Sequence, residues 1–192
     1  MPVFRISINV KYVHVFLGTT WMQEITWLLM NDGNISAAKQ TPVYMRSPFL
    51  EFKDMTLNEV GLDIASQMAS PRVIKSHLPL KLMPSLLHKS GPKDPLAEIK
   101  QLAQFLGKTN LDDVTLSSIA NHCSFQEMKS NPMTNHLDVY SIDSSVSPLL
   151  RKGTVGDWKS QFTVQQDEDF DKVYSHKMAG FDIPFLYDLK SK

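Results

Sequence analysis

A chain of 192 residues with 42% hydrophobic content can bury the core of one domain, and twenty basic against twenty acidic residues leave no net charge. That balance excludes the electrostatic footprint of a general nucleic-acid or anionic-membrane binder, so any anion site must be local. The single cysteine, Cys123, excludes an internal disulfide, fits a reducing compartment and reads as a small buried apolar residue. With no apolar run as long as a membrane span and no signal-cleavage pattern, the expectation is a soluble, cytosolic protein.

In chain order, the apolar-rich alternation over 5–16 predicts a strand, buried through Val13, Val15 and Phe16 and ending at Gly18. Thr20 with Gln23 three residues on has the pattern of a capping box. Trp21, Ile25, Leu28 and Leu29 then recur at helical spacing until Asn31-Asp32-Gly33. A second strand over 72–76 follows Ser70-Pro71 and runs into His77-Leu78-Pro79, where proline forbids further ladder pairing. From Asp94-Pro95 a helix carries Leu96, Ile99, Ala103 and Leu106 on one face and stops at Gly107. Further helices are expected over 112–122, from Ser124 with Glu127 three on, and over about 168–179. The pattern is mixed α/β in one domain over 1–192. Two strands are few for a parallel sheet, because each needs neighbours for its backbone groups, so the sheet is expected to be incomplete.

Strand, glycine turn and helix around Gly18-Thr19-Thr20-Trp21 place free amides and a positive dipole end where a phosphate can sit. A plain structural helix start fits the same residues. The Gly-Lys-Ser/Thr order of a Walker motif is absent, so an ATPase reading fails on its most specific element. In SPLLRKGTVGDWKSQFTV, residues 147–164, Arg151 and Lys152 precede two glycines that bracket a turn. Guanidinium, ammonium and backbone amides can converge there on one phosphate, or the segment is a solvated basic turn. His77, at a strand end, has the residue type of a general base near neutral pH or is a half-exposed histidine of no special role. The six histidines show no metal-ligand spacing, and no structural zinc is expected. Tyr44, Phe49 and Phe52 read as core, with an acceptor-pocket lining as the alternative.

Taken together, these segments resemble the cytosolic sulfotransferase family. Gly18-Thr19-Thr20-Trp21 matches the second half of that family's Tyr-Pro-Lys-Ser-Gly-Thr-Thr-Trp loop, and the run from Thr41 to Glu51 its Arg-x-Pro-Phe-Leu-Glu segment. The run from Ser70 to Pro79 is similar to the strand carrying its catalytic histidine. Cys123-Ser124-Phe125 with the run from Met128 to Asn135 resembles its adenine-side segment, and the run from Arg151 to Trp158 its C-terminal phosphate loop. Lys159, Thr163, Val164 and Glu168 fit its dimerisation motif. The resemblance implies a parallel-sheet, P-loop-like nucleotide-binding fold and transfer of a sulfuryl group from 3′-phosphoadenosine-5′-phosphosulfate (PAPS) to a hydroxyl or amine of a small acceptor such as a phenol or steroid. It implies His77 as the base; Gly18, Thr19 and Thr20 at the 5′-phosphosulfate; Trp21, Ser124 and Phe125 beside adenine; and Arg151, Lys152 and Gly153 at the 3′-phosphate. No metal is implied.

Two departures set this chain apart. The family's Lys-Ser before Gly-Thr-Thr is replaced by Phe16-Leu17, and Lys11 lies too early on the strand to substitute. Around His88 to Pro92 several tens of residues are absent relative to the family, a block with a central strand and part of the 3′-phosphate clamp. The expectation is therefore a sulfotransferase of impaired rate, with a catalytically inactive isoform that dimerises with a full-length relative as the alternative.

Overall fold

The computed structural model describes residues 18–54, 59–77, 94–135, 145–146, 148–154 and 156–179. The strand expected over 5–16, Phe16-Leu17 and the gap near 88–92 lie outside them. Helix α1 (Thr19–Met30) runs through the centre of the core and stops, as expected, at Asn31. Its start differs from the expectation. Gly18 is the N-cap, in the left-handed region at φ 75°, and no side chain caps the helix. Thr20 is already inside the first turn, and Gln23 turns inward, its Nε2 donating to the Ser47 carbonyl at 2.7 Å. A distant partner thus holds the side chain that a capping box would have used.

Two short helices follow, α2 (Ile35–Ala38), capped by Asn34, and α3 (Val43–Arg46). Strands β1 (Lys53–Asp54) and β2 (Glu59–Val60) then pair antiparallel and lead into α4 (Gly61–Gln67). The strand expected over 72–76 appears as one parallel bridge, Phe49 to Lys75. Amides on both sides close it, Leu50 N–H to Lys75 O at 2.8 Å and Lys75 N–H to Pro48 O at 2.9 Å. It is the parallel pairing present among the described residues.

The later helices follow their caps. In α5 (Pro95–Leu106) the Asp94 carboxylate accepts from the Leu96 and Ala97 amides, and Gly107 ends the helix at φ 76°. Asp112 caps α6 (Asp113–His122) and Ser124 caps α7 (Phe125–Ser130). Each such cap stabilises by about 1 kcal/mol. Helix α8 (Val164–Met178) starts four residues before the expected position. Thr163 and Gln166 form a reciprocal capping box there, ahead of the acidic run Asp167-Glu168-Asp169.

Ile25, Leu28 and Leu29 of α1 meet Ala38, Ile99, Ala103, Leu116, Ile119, Cys123 and Met128 in one core. Burial of each large aliphatic side chain contributes about 1.5–3 kcal/mol. Cys123 is 2% exposed, as its apolar reading required. Burial first, then the negative charge of Glu24, pushes its thiol well above the ordinary range, so it is not a nucleophile. Helix α8 buries none of its residues, and Phe170 and Val173 stay about half exposed.

Candidate functional site

The N-terminus of α1 presents the Thr19, Thr20 and Trp21 amides ahead of the first intrahelical bond, Met22 N–H to Gly18 O at 3.0 Å. The Trp21 indole donates to the Cys123 carbonyl at 2.7 Å, which fixes this turn against the start of the Ser124–Phe125 segment. Phe125 in turn meets the basic loop. Gly153 has φ 65°, and a Cβ there would lie 2.2 Å from Phe125 Cδ2, so only glycine lets the loop approach the ring this closely. Lys129 adds a second tie, donating from Nζ to the Arg151 carbonyl at 3.1 Å with its ammonium 5.7 Å from the Phe125 ring centre.

Three segments far apart in sequence, Gly18–Trp21, Ser124–Phe125 and Arg151–Gly153, are therefore joined by direct contacts. Gly153→Ala is expected to destabilise the protein by about 1–2 kcal/mol through the left-handed backbone alone and to push the loop off Phe125. Urea unfolding followed by tryptophan fluorescence measures it; unchanged stability and loop position would contradict the close approach.

The two cations of the basic loop have a partner that sequence reasoning missed. Asp157, only 13% exposed, accepts from Arg151 Nη2 through Oδ2 and from Lys152 Nζ through Oδ1 at 2.8 Å. Gly156, at φ 86°, makes the turn that brings Asp157 back to them. The signal was present as an aspartate six residues after Arg151 across a turn with two glycines. The pairing holds both cations side by side and leaves one net positive charge in the loop, with both side chains about half exposed.

His77 belongs to a different part of the surface. It is exposed; its backbone N–H donates to Glu51 Oε1 at 3.0 Å, and Ser76 Oγ donates to the same oxygen at 2.6 Å. Its ring lies 4.7 Å from that of Phe49, which stacks on Phe52 at 6.1 Å. The aromatic pair read as core is thus beside His77, with Phe52 about half exposed. Lys75, two residues back, holds Nζ 4.7 Å from the same Phe49 ring. Burial lowers its ammonium from the ordinary lysine value, and Glu51 partly opposes the shift. The structure connects His77 to α1 indirectly, through the segment that Gln23 holds at Ser47.

The dimer-motif residues all lie on the surface. Lys159 sits in a 3₁₀ turn (Asp157–Ser160), Thr163 is the cap of α8, and Val164 and Glu168 lie in its first turns, Val164 being 77% exposed. No group of three or more His, Cys, Asp or Glu side chains among the described residues could hold a metal ion, and no described helix is long and apolar enough to cross a membrane.

The fold is similar to that of retinol dehydratase solved with androsterone and the inactive cofactor PAP, with a TM-score of 0.70 at 19% identity over 87% of this chain and 79% of that one. Retinol dehydratase solved with retinol and PAP gives 0.71 at 20% identity, over 88% and 80%. Among curated proteins, mouse (Mus musculus) sulfotransferase 1B1 is 30% identical over 250 aligned residues, covering 91% of this chain and 83% of the relative. Rat (Rattus norvegicus) sulfotransferase 1C2 is 29% identical over 90% and 83%. The alignment with the mouse protein is longer than the 192 residues of this chain, so that relative has residues with no counterpart here. The family model for the sulfotransferase domain matches in two parts, residues 18–93 and 92–182. The chain belongs to the sulfotransferase domain family.

Proposed function

We propose that this protein is a PAPS-dependent sulfotransferase of the cytosol that acts on a small hydroxyl or amine acceptor, such as a phenol or steroid, at a reduced rate. The observation that carries the reading is the joining of the α1 N-terminus, Phe125 and the Arg151–Gly153 loop into one surface. These residues fit an adenosine bisphosphate: amides at one end, aromatic rings for a base between, and a cationic loop at the other.

In the transfer, PAPS supplies the sulfuryl group: the acceptor oxygen or nitrogen forms the new bond to sulfur as the bond from sulfur to the 5′-phosphate oxygen breaks, with its electron pair, to leave adenosine 3′,5′-bisphosphate. His77 takes the proton from the acceptor, its place held by main-chain donation to Glu51. Thr19 and Thr20 hold the 5′ end through their own amides, in the turn that follows Gly18, while Trp21, Ser124 and Phe125 flank the base. Arg151 and Lys152 bind the 3′-phosphate with Gly153 beneath them, sharing their charge with Asp157.

We also assign the single domain a missing internal block near 88–92. The two-part family match, which breaks at 92–93, supports it. A second reading rests on the Phe16-Leu17 replacement and on the surface position of Lys159, Thr163, Val164 and Glu168: an inactive isoform that dimerises with itself or with a full-length relative.

Calorimetric titration with adenosine 3′,5′-bisphosphate tests the site. The expectation is micromolar binding that Arg151→Ala weakens by about 10- to 100-fold, the usual worth of a charge-assisted contact. A folded protein that binds no bisphosphate would overturn the enzyme reading and leave the dimerising isoform, which size measurement by light scattering then checks.

A further inference from the structure

Glu24 is wholly buried on α1, and nothing in the proposed transfer uses it. Its carboxylate is tied at both oxygens. Arg46 Nη2 donates to Oε2 at 2.6 Å, and His122, in the tautomer carrying its proton on Nε2, donates to Oε1 at 2.9 Å. Both donor side chains are 5% exposed. Arg46 is fixed further by donation from Nε to the Thr41 carbonyl at 2.8 Å and by the Trp27 ring 4.6 Å away.

A buried ion pair is seldom a gain in stability over apolar packing of the same volume, but its directionality can fix one arrangement of the elements it joins. Arg46 Nη1 is buried with no hydrogen-bond partner among the described residues.

The two donors come from two joints. His122 ends α6, two residues before Ser124, and Trp21 Nε1 repeats that joint by donating to the Cys123 carbonyl at 2.7 Å. Arg46 ends α3, just ahead of the segment whose Glu51 anchors His77, and Gln23 Nε2 repeats that joint at the Ser47 carbonyl. Each joint therefore has one bond to the Glu24 carboxylate and one neutral bond through its neighbours on α1.

We infer that Glu24 is a positioning residue, which uses His122 and Arg46 to set the Ser124–Phe125 segment and the His77 anchor against the Gly18–Trp21 turn. The inference deepens the site reading above and rests on it for what is being positioned. The physical coupling can be measured without any ligand. Because Trp21 and Gln23 keep a second bond at each joint, loss of one arm to Glu24 should loosen the joint without unfolding the core.

The test compares the full chain with His122→Phe, which keeps volume and removes the donor, and His122→Gln, whose side-chain amide can still donate to Glu24. Hydrogen exchange read by mass spectrometry is expected to speed up at least tenfold at the amides of 18–22 and 123–128 in His122→Phe and to leave α5 unchanged. Adenosine 3′,5′-bisphosphate binding should weaken about tenfold in the same variant, and His122→Gln should restore both.

A merely structural role would lower the unfolding midpoint of His122→Phe while the two segments and the affinity of the folded protein stayed as in the wild type; that result overturns the inference. Should the wild type bind no bisphosphate, the site reading falls separately, and exchange at the two segments still decides the positioning. If His122→Phe does not fold, Glu24→Gln, which keeps one oxygen for Arg46, is read by the same exchange measurement with the same two outcomes.

Discussion

His77→Ala is expected to lower sulfuryl transfer by on the order of 100- to 10,000-fold while leaving adenosine bisphosphate binding within about threefold of the wild type. The first number is the usual contribution of a positioned general base. The second follows from the geometry. His77 is exposed and is held by its main-chain N–H on Glu51, a bond that alanine keeps. Its side chain touches Phe49, and among the described residues no hydrogen bond or ring contact links it to the Arg151–Gly153 loop or to the α1 N-terminus. Loss of transfer together with loss of bisphosphate binding would show that His77 supports the site rather than takes a proton. Transfer at the wild-type rate would remove it from the chemistry altogether.

Phe16→Lys combined with Leu17→Ser is expected to raise turnover by roughly 100- to 1,000-fold, the size of effect seen when one preorganised electrostatic contact to a transition state is present or absent. In the resembling family these positions carry the lysine and serine that precede Gly-Thr-Thr. The leaving phosphate oxygen gains negative charge as its bond to sulfur breaks, and an ammonium at that point stabilises it. In this sequence phenylalanine replaces the lysine. Measuring steady-state turnover with a phenol acceptor checks the expectation. An unchanged rate would locate the deficit in the block near 88–92 instead, since the donor would then still lack part of its 3′-phosphate clamp.

How much of this was legible in the sequence depended on how local the cause was. Asp94, Asp112 and Ser124 cap helices within three residues of themselves, so pattern alone placed α5, α6 and α7. The apolar spacing of Ile25, Leu28 and Leu29 likewise placed the core face of α1. Thr20 and Gln23 carried a local pattern that tertiary structure overrode, because the buried Ser47 carbonyl offered Gln23 a partner outside its own helix. Thr163 and Gln166 carried the same kind of pattern ahead of the helix expected from about 168, and there the local pattern prevailed. The β1 and β2 pair was not expected, since Lys53-Asp54 and Glu59-Val60 offer little of the apolar alternation by which strands are read.

By itself the sequence placed helices α1, α5, α6, α7 and α8, the core face of α1, and the six separated motifs that resemble one family, because caps, periodicity and motif order are properties of neighbouring residues. Only the tertiary structure decided that Asp157 takes both cations of the basic loop, that Gly153 packs on Phe125, and that Glu24 is buried between Arg46 and His122. The last two join groups separated by tens of residues, and the first depends on a turn whose path the residue pattern leaves open. In each case a charge or a ring is given its partner by the fold, and the pairing exists only once the distance has been fixed.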